Sequence, residues 1–433
     1  MDNGGMEITM KQIIKNGFVI NPAQGFSGKA DILINYGVIE RVAENINDYD
    51  AKVIDAENMI VAPGLVDLHV HFREPGYEHK ENILTGSRSA ARGGVTTVLC
   101  MPNTNPPIDN AALVEYVINR GKKAGLINVL TTGCVTKGQK GEELTEMAEL
   151  KESGAVAFSD DGRPVSSSGI MRRALQYANM IDMPIMDHCE DLSLVDNGSM
   201  NDGFTSTYLG LRGIPKSAES AAVSRDILLA EELGAKLHIC HISTKNSIEA
   251  VRAAKARGAR ITAETAPHYF ALTDKACDGF NTNAKMNPPL RDDEDVEAII
   301  SALADGTIDA IATDHAPHHS DDKRIEFEKA ANGIVGLETS LSLGITYLVK
   351  TGRLSMMQLI EKMSTKPAEI INCGRGTLNV GAPADIVIFD ENEKYTVDAS
   401  SFASKGKNTP FNNMELYGRV HRTITGGKTV FSL

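Results

Sequence analysis

The strongest constraint on this chain is a pattern that recurs eight times: a short run of β-branched and other apolar residues, a polar loop containing glycine, and an amphipathic stretch. Alternation with a period of two predicts strands, and a period of 3.6 predicts helices. Eight such units in succession predict an α/β protein with a closed, parallel (β/α)8 barrel of the TIM type. The predicted strands are residues 66–72, 96–101, 128–134, 155–159, 184–188, 237–241, 260–264 and 308–314.

Amphipathic helices are predicted between these strands at residues 111–124, 142–152, 170–179, 217–232, 246–256 and 293–304. The two ends of the chain differ, because they contain only short predicted strands near turn residues. Neither end has enough strands for a sandwich of its own, so we expect both to pair into one small, discontinuous β-sandwich domain. The predicted domains are residues 1–62 and 375–433 for the two parts of the β domain, and 63–374 for the barrel. The predicted end strands are residues 18–20, 30–34, 38–42, 52–54, 385–389, 420–425 and 428–431.

Charge and targeting signals exclude several classes of function. The 433 residues include 44 Lys and Arg against 57 Asp and Glu, a formal net charge of -13, and no long basic run, which disfavours nucleic acid as a partner. The first residues lack a secretory signal, and no long uncharged apolar stretch occurs, so we expect a cytoplasmic protein without membrane contact. Periodic apolar sequence begins only at Ile13, which makes Met6 or Met10 an alternative start.

The six cysteines are scattered along the chain and form no CxxC pair. This spacing indicates neither a disulfide framework nor a structural zinc knuckle. We therefore interpret them as reduced thiols, mostly in the core.

The first predicted strand contains Asp67, His69 and His71 in strict alternation with apolar residues. A pleated strand places alternate side chains on one face, so both imidazoles can approach one metal ion. An isolated histidine in a strand is more often a satisfied core or surface group. The metal interpretation therefore depends on what the other strands carry.

Further imidazole and carboxylate groups follow the other predicted strands: Asp161, His188, His241 and Asp314. Barrel enzymes build their sites at this carboxyl end of the strands. Unpaired ionisable groups gathered there would cost several kcal/mol, whereas metal binding removes that cost. Imidazole and carboxylate ligands without thiolate favour a catalytic zinc site with an open position for water.

Six ligands are too many for one tetrahedral ion, but two ions that share a carboxylate and a hydroxide would use them all. Asp161 is the predicted bridge. We expect His69, His71 and Asp314 on one ion, and His188 and His241 on the other.

Five segments resemble bacterial dihydroorotases of the longer class I type, within the amidohydrolase superfamily. They are GLVDLHVHFREPG at 64–76, MPNTNPP at 101–107, FSDDG at 158–162, MNPPLR at 286–291 and ATDHAPH at 312–318. The HxH motif alone would identify only the superfamily. The other segments, in this order, are typical of a much smaller group of proteins within it. The resemblance extends from about residue 12 to the C-terminus.

The resemblance implies the zinc-dependent, reversible cyclisation of N-carbamoyl-L-aspartate to L-dihydroorotate in pyrimidine (UMP) biosynthesis. In this chemistry Asp314 takes a proton from the bridging water and delivers it to the departing ring nitrogen. Arg73 is expected to bind the substrate carboxylate through its guanidinium fork. The resemblance adds further substrate contacts at His71, Asn103, Asn287, His318, Asn332 and Gly333.

Two positions depart from the wider family. Many amidohydrolases bridge their metals with a carboxylated lysine, whereas this chain offers the shorter Asp161. The substrate loop, residues 319–332, often ends in Phe-Gly in the family but here reads Asn332-Gly333. A backbone contact to the ring can survive that change, whereas aromatic packing cannot.

Two other functions remain open at this point. An allantoinase or dihydropyrimidinase would share the metal chemistry, but those substrates lack the ring carboxylate that Arg73 would pair. A catalytically silent subunit that scaffolds aspartate transcarbamoylase would be free to lose metal ligands, yet all six are present. A homodimer is expected, and association with aspartate transcarbamoylase stays open.

Overall fold

The computed structural model describes residues 11–433, so the alternative starts at Met6 and Met10 and the first ten residues of the predicted β domain lie outside it. The chain is an α/β protein. Its first part contains one short 3-10 helix, Pro22–Gln24, and seven strands: β1 Lys11–Lys15, β2 Phe18–Asn21, β3 Phe26–Lys29, β4 Asp31–Asn35, β5 Val38–Ala43, β6 Lys52–Asp55 and β7 Ile60–Pro63.

The middle of the chain alternates strands with helices. Its strands are β8 Leu65–Val70, β9 Val95–Cys100, β10 Asn128–Thr131, β11 Ile185–Asp187, β12 Met200–Asn201, β13 Gly213–Ile214, β14 Leu237–Ile239, β15 Ile261–Thr265 and β16 Ala310–Ile311. The short strands β12 and β13 pair only with each other, in parallel.

The other seven of these strands are joined by parallel pairing into one circuit. Strands β8, β9 and β10 form one sheet, and β11, β14, β15 and β16 form another. Parallel bridges through Phe158 connect Gly133, just beyond β10, to Ile185 in β11. At the other side, Val70 in β8 makes a parallel bridge to His315. The carboxyl ends of all these strands therefore point the same way.

The prediction of a regular strand at residues 155–159 is wrong, since this segment forms only isolated bridges. Ser159 N–H donates to Gly133 O at 2.9 Å, whereas Phe158 N–H donates to Pro184 O at 3.1 Å. The segment therefore divides its hydrogen bonds between two neighbours without a continuous ladder to either. It still fills the gap between β10 and β11.

The predicted strands at 66–72, 237–241 and 308–314 run too far, because the observed strands end at Val70, Ile239 and Ile311. Arg73, His241 and Asp314 have positive φ angles of 63°, 33° and 47°. A left-handed backbone cannot continue an extended ladder. The sharp turns at the strand ends aim these side chains away from the sheet.

The described helices are α1 Ile83–Arg92, α2 Ala111–Ala124, α3 Met147–Glu152, α4 Ser168–Met180, α5 Leu192–Val195, α6 Phe204–Leu209, α7 Ser217–Leu233, α8 Lys245–Ala256, α9 Pro267–Ala271, α10 Asp293–Asp305, α11 Ser320–Lys323, α12 Ser340–Gly344, α13 Met356–Ile360 and α14 Lys366–Ile370. A π-helical turn, Ile345–Val349, follows α12, and another, Glu361–Thr365, joins α13 to α14. The helix predicted at 142–152 begins only at Met147, because Thr145 N–H donates to Val135 O at 3.0 Å and holds the preceding residues extended.

One buried apolar cluster lies inside the circuit of strands. It includes Leu68, Leu99, Met186 and Ala310, whose strands are not all neighbours, and Ile371 just after α14. Side chains of strands that do not pair can meet only on the inner face of a curved sheet. A larger cluster packs the outer faces of the strands against the helices.

The C-terminal strands are β17 Ile386–Thr396, β18 Glu415–Thr425 and β19 Lys428–Ser432. They join strands from the other end of the chain in a six-stranded sheet of order β19-β18-β17-β7-β2-β3. The remaining N-terminal strands form a four-stranded sheet, β5-β4-β1-β6, and apolar residues of both sheets share a buried cluster that includes Ile14, Ile32, Val61 and Ile386. Among residues 11–433, no helix combines the length and the apolar character needed to span a membrane.

Candidate active site

The six predicted metal ligands converge at the carboxyl ends of the strands. His69 lies in β8 and His71 directly after it, His188 follows β11, and His241 follows β14. Asp161 lies beyond the Phe158 bridge, and Asp314 lies beyond β16. All six side chains are buried. Residues far apart in sequence meet because parallel strands end at the same rim.

Asp161 occupies the centre of this cluster. Its Oδ1 lies 3.3 Å from His69 Nε2, 3.5 Å from His241 Nε2 and 3.6 Å from His188 Nδ1. Its Oδ2 lies 3.6 Å from His71 Nε2. One carboxylate therefore faces all four imidazoles, as a bridging ligand must.

Asp314 lies at one edge of the cluster. Its Oδ1 is 3.0 Å from His71 Nε2 and 3.7 Å from His69 Nε2. At the opposite edge, His188 Nδ1 and His241 Nε2 are 3.0 Å apart. His69 and His71 thus lie near Asp314 at one edge, whereas His188 and His241 lie together at the other.

The local electrostatics keep the central carboxylate ionised. Burial alone would raise the pKa of Asp161, but the charge of His69 and the nearby imidazoles of His188 and His241 hold that pKa well below its usual range. Burial opposes the charged form of His188, yet Asp161 and Glu190 raise its pKa to about 10. The carboxylates of the cluster thus favour the charged form of the imidazoles, and the imidazoles favour the charged form of the carboxylates.

The donor set fits a divalent metal. His69 Nε2 and Asp161 Oδ1 are buried and have no hydrogen-bond partner within residues 11–433. Two groups of three residues, His69 with His71 and Asp314, and His69 with Asp161 and His241, hold their ligand atoms within 4.8 Å of one another. Ligand atoms about 2.1 Å from a tetrahedral zinc ion lie roughly 3.4 Å apart, close to the separations found here.

Glu264 and His238 extend the cluster below His69, and the sequence analysis missed both. Glu264 Oε1 lies 3.1 Å from His69 Nδ1, and its Oε2 lies 3.2 Å from His238 Nε2. Burial opposes ionisation, but these imidazoles lower the pKa of Glu264 to about 2. A carboxylate on the far nitrogen fixes the orientation of a metal-binding imidazole. Glu264 is the last residue of the seventh predicted strand. Its position at the carboxyl end of that strand could have indicated that it belongs to the site.

Next to the cluster is a cavity of about 210 Å³. The predicted substrate contacts all line it, together with five of the six predicted metal ligands. His69, the sixth, is not part of the lining. The lining residues are His71, Arg73, Asn103, Asp161, Gly162, His188, His241, Asn287, Asp314, Ala316, His318, Asn332 and Gly333.

Arg73 enters this cavity without a carboxylate partner. Within residues 11–433, no Asp or Glu oxygen lies within ion-pair distance of its guanidinium. Its Nε donates to Pro317 O at 3.3 Å, and its Nη2 lies 3.4 Å from His318 Nε2. Burial lowers the pKa of the guanidinium. An unpaired cation in such a place is costly unless an anion binds there.

His318 is neutral and makes specific contacts. Burial, reinforced by Arg73 and nearby lysines, lowers its pKa to about 2. Its Nε2–H donates to the backbone carbonyl of Asn332 at 2.8 Å, which ties the substrate loop to the cavity wall.

The two asparagines have different surroundings. Asn103 Oδ1 lies 2.9 Å from His71 Nδ1, and its Nδ2 donates to Asp161 Oδ2 at 3.1 Å, so its amide orients these two members of the histidine and aspartate cluster. Asn287 Nδ2 donates to Glu190 Oε2 at 3.2 Å, whereas its Oδ1 is buried without a partner in the described part of the chain. Asn287 therefore has a free hydrogen-bond acceptor beside the cavity.

Gly333 closes the substrate loop against the cavity. Its φ is 107°, and an added Cβ would lie 2.5 Å from Ala316 Cβ, so only glycine fits. Asn408, which the sequence analysis also missed, comes from the segment between β17 and β18. Its Nδ2 donates to Gly333 O at 3.1 Å, and its Oδ1 accepts from His318 N–H at 3.0 Å.

Comparisons with known proteins agree with this geometry. A dihydro-orotase-like family model matches residues 58–247, and an amidohydrolase family model matches residues 238–431. An L-hydantoinase (dihydropyrimidinase) from Arthrobacter aurescens has a similar structure, with a TM-score of 0.88 and 29% identity over 97% of this chain and 96% of that one. A dihydropyrimidinase from Brevibacillus agri NCHU1002 has the same fold, with a TM-score of 0.86 and 23% identity over 98% of this chain and 95% of that one. Fold and site together define an amidohydrolase, a hydrolase of cyclic amides.

Sequence relatives identify the family within that class. A dihydroorotase from Ruminiclostridium cellulolyticum is 55% identical over 97% of this chain and 98% of its own length. A dihydroorotase from Acetivibrio thermocellus is 53% identical over 96% of this chain and 98% of its own length. The chain belongs to the dihydroorotase family, as the sequence motifs predict.

Proposed function

We propose that this protein interconverts L-dihydroorotate and N-carbamoyl-L-aspartate, a step of pyrimidine biosynthesis. The observation that carries the proposal is the unpaired guanidinium of Arg73 beside the buried histidine and aspartate cluster. A cyclic amide that bears a carboxylate would place its anion at Arg73 and its scissile bond at the cluster. The high identity to dihydroorotases supports the same substrate.

We further propose that the closed circuit of strands is a (β/α)8 barrel spanning residues 63–374. The two sheets formed by residues 11–62 and 375–433 would be the discontinuous β-sandwich domain. The parallel bridge from Val70 to His315 supports the closure, and the apolar cluster common to both sheets supports the sandwich.

The proposed cofactor is zinc, with two ions per subunit that would both be held by Asp161. His69, His71 and Asp314 would hold one ion, and His188 and His241 the other. The bound metal would supply a polarised carbonyl and a water of lowered pKa. The donor atoms and their separations support this assignment.

The chain's own residues would orient the substrate. Arg73 and His318 flank the position for the ring carboxylate, and the Oδ1 of Asn287 can accept from a ring N–H. The backbone of Asn332 and Gly333 would contact the ring without the aromatic packing found elsewhere in the family. Asn103 and His71 would contact the substrate at the side of the cavity that faces the metal ligands. The two side chains also contact each other there.

Asp314 is proposed as the general base and acid. Burial opposes ionisation of its carboxyl, but the hydrogen bond with His71 and nearby imidazoles hold its pKa below the usual range, so it is a proton acceptor at neutral pH. In hydrolysis the water oxygen bonds to the ring carbonyl carbon and Asp314 takes the water proton. The carbon–nitrogen bond then breaks, and Asp314 delivers that proton to the nitrogen.

The class I assignment, the homodimer, the cytoplasmic location and association with aspartate transcarbamoylase stay predictions. The solved hydantoinases and dihydropyrimidinases favour a second candidate, hydrolysis of cyclic amides without a carboxylate. Arg73 argues against it, because such a substrate would leave the guanidinium unpaired.

The test is a coupled measurement on the purified protein of L-dihydroorotate hydrolysis, of cyclisation of N-carbamoyl-L-aspartate and of metal content. We expect turnover in both directions and bound zinc. No turnover in either direction by metal-loaded protein would overturn the proposal and favour the silent scaffolding subunit.

A further inference from the structure

A second cavity, of about 340 Å³, lies beside the candidate active site and has a strongly basic wall. Its lining includes three histidines, and no Asp or Glu of residues 11–433 lines it. The lysines and arginine of the wall are Lys80, Lys323, Arg324, Lys405 and Lys407. The chain as a whole carries a net charge of -13, so this concentration of cations is local.

Three separate parts of the chain supply these cations. Lys80 precedes α1, Lys323 and Arg324 lie at the end of α11, and Lys405 and Lys407 lie between β17 and β18. A single exposed helix or tail would not produce this convergence. The fold instead gathers like charges around one concavity, where their fields add.

Most of this charge is uncompensated. Lys405 Nζ donates to Glu78 O at 2.6 Å and Lys407 Nζ donates to Ser404 O at 2.8 Å, so both ammonium groups bond to backbone carbonyls. Lys323 Nζ donates to the backbone carbonyls of Thr282, Lys285 and Ala331, and burial lowers its pKa, so the positive charge of the wall comes mainly from Lys80, Arg324, Lys405 and Lys407. Two carboxylates lie nearby: Asp322, 3.1 Å from Lys80 Nζ, and Asp321, 3.3 Å from His319 Nδ1.

The basic cavity adjoins the substrate cavity through side chains common to both surroundings. His318 lines the two cavities. Its Nδ1 lies 3.4 Å from Lys80 Nζ, and its Nε2 lies 3.4 Å from Arg73 Nη2. A ligand that contacts Lys80 and His318 would therefore change the surroundings of Arg73.

We propose that the basic cavity binds a small multivalent oxyanion of the phosphate-ester or polycarboxylate class. Its concavity suits a compact ligand, and oxygens of such an anion would replace the missing carboxylates. Binding itself does not depend on the proposed function, whereas an effect on turnover through Arg73 does. The anion has two possible sources, a separate metabolite or the dianionic N-carbamoyl-L-aspartate on its way to the active site.

The test uses inorganic phosphate as the probe and the metal-loaded protein. Binding is measured by titration calorimetry at constant ionic strength, and metal content is measured before and after to detect chelation. One variant carries Arg324→Gln, Lys405→Gln and Lys407→Gln. A matched control removes three exposed lysines elsewhere, through Lys29→Gln, Lys122→Gln and Lys140→Gln.

We expect saturable phosphate binding that weakens by about tenfold or more in the cavity variant and changes little in the control, because only the cavity cations focus their field on one site. Equal weakening in both variants, or full binding by the cavity variant, would overturn the proposal. Absence of saturable binding to the native protein would overturn it too.

Kinetics then distinguish the two sources. If the substrate itself occupies the cavity, the cavity variant raises the KM for N-carbamoyl-L-aspartate without added phosphate, and phosphate competes with that substrate. If a separate metabolite is the ligand, that KM is unchanged and phosphate alters turnover only in the native protein. Failure of the proposed function would abolish turnover but leave phosphate binding intact.

Discussion

The Nε2 of His71 lies 3.0 Å from the Oδ1 of Asp314, although 243 residues separate them in sequence. His71 follows the first strand of the parallel circuit and Asp314 follows the last. Their contact exists because Val70 and His315 bridge those two strands. The proposed metal ligand and the proposed proton carrier are thus brought together by closure of the circuit.

Metal dependence is the first prediction. His69→Ala should lose bound metal together with turnover, because His69 Nε2 is common to both groups of ligand atoms. Elemental analysis and the hydrolysis assay measure the two losses. His421→Ala is the control, since His421 lies in the C-terminal strand β18 and is not one of the predicted ligands. Its Nε2 is 2.6 Å from Glu393 Oε2. A chelator should abolish native turnover and zinc should restore it; full turnover in metal-free protein would contradict the prediction.

The second prediction concerns Asp161 as the bridge. Aspartate needs no carbon dioxide to become a bridging ligand, and no lysine lines the substrate cavity among residues 11–433. Turnover and metal content should therefore be the same with and without added bicarbonate. Asp161→Asn should lose metal, because the central negative charge disappears. A bicarbonate requirement would show that another group bridges the metals.

The third prediction concerns Glu264, which positions His69. Glu264→Gln should lower metal affinity by about 10- to 100-fold, since the imidazole loses its carboxylate partner. Competition with a chelator measures that affinity. Glu338→Gln serves as the control because Glu338 is largely buried but bonds to Ala403 N–H, away from the cluster. Unchanged metal affinity in Glu264→Gln would remove the positioning role.

The sequence predicted that the histidine and aspartate side chains converge, because this convergence follows from a simple rule. Once the succession of parallel strands is recognised, polar residues at their carboxyl ends are expected to meet, and this brings His69, His188 and His241 together. Glu264 also lies at the carboxyl end of a strand. It was missed because a single carboxylate in a strand does not form a recognisable sequence motif. Asn408 could not be predicted, since its contacts to the loop at Gly333 depend on the packing of the C-terminal segment.

The strand boundaries were harder to predict. Extended and left-handed residues have similar hydrophobic patterns, so nothing in the sequence indicated that pairing ends before His241 and Asp314. The segment around Phe158 has a strand-like pattern, but its hydrogen bonds are divided between two neighbours. Such details depend on the geometry of closure rather than on local preference.

The fourth prediction concerns pH and the buried Lys323. Burial lowers its pKa from 10.5 to about 7. Between those values the unfolded chain binds more protons than the native one, so this group makes stability rise with pH. Lys323→Met should remove that rise. Urea unfolding of both proteins at pH 7, 8 and 9 measures it, and parallel pH dependences would contradict the assignment.

The fifth prediction concerns the carboxylate pocket. Arg73→Met should cost on the order of 2 to 5 kcal/mol of transition-state binding for L-dihydroorotate, because the substrate anion is left unpaired. Steady-state kcat/KM measures the loss. Arg163→Met is the matched control, since Arg163 lines the same mouth but is exposed. An equal loss in both variants would mean that general charge, rather than a specific pair, attracts the substrate.

The central claim is that Arg73 selects a substrate that carries a ring carboxylate. The most direct test is the same assay of the native protein with two substrates, L-dihydroorotate and dihydrouracil. Dihydrouracil is the dihydroorotate ring without its carboxylate, so it cannot use Arg73. We predict efficient hydrolysis of L-dihydroorotate and poor hydrolysis of dihydrouracil, with the latter little changed by Arg73→Met. Comparable hydrolysis of both rings by the native protein would contradict the account and assign the protein a dihydropyrimidinase-like activity instead.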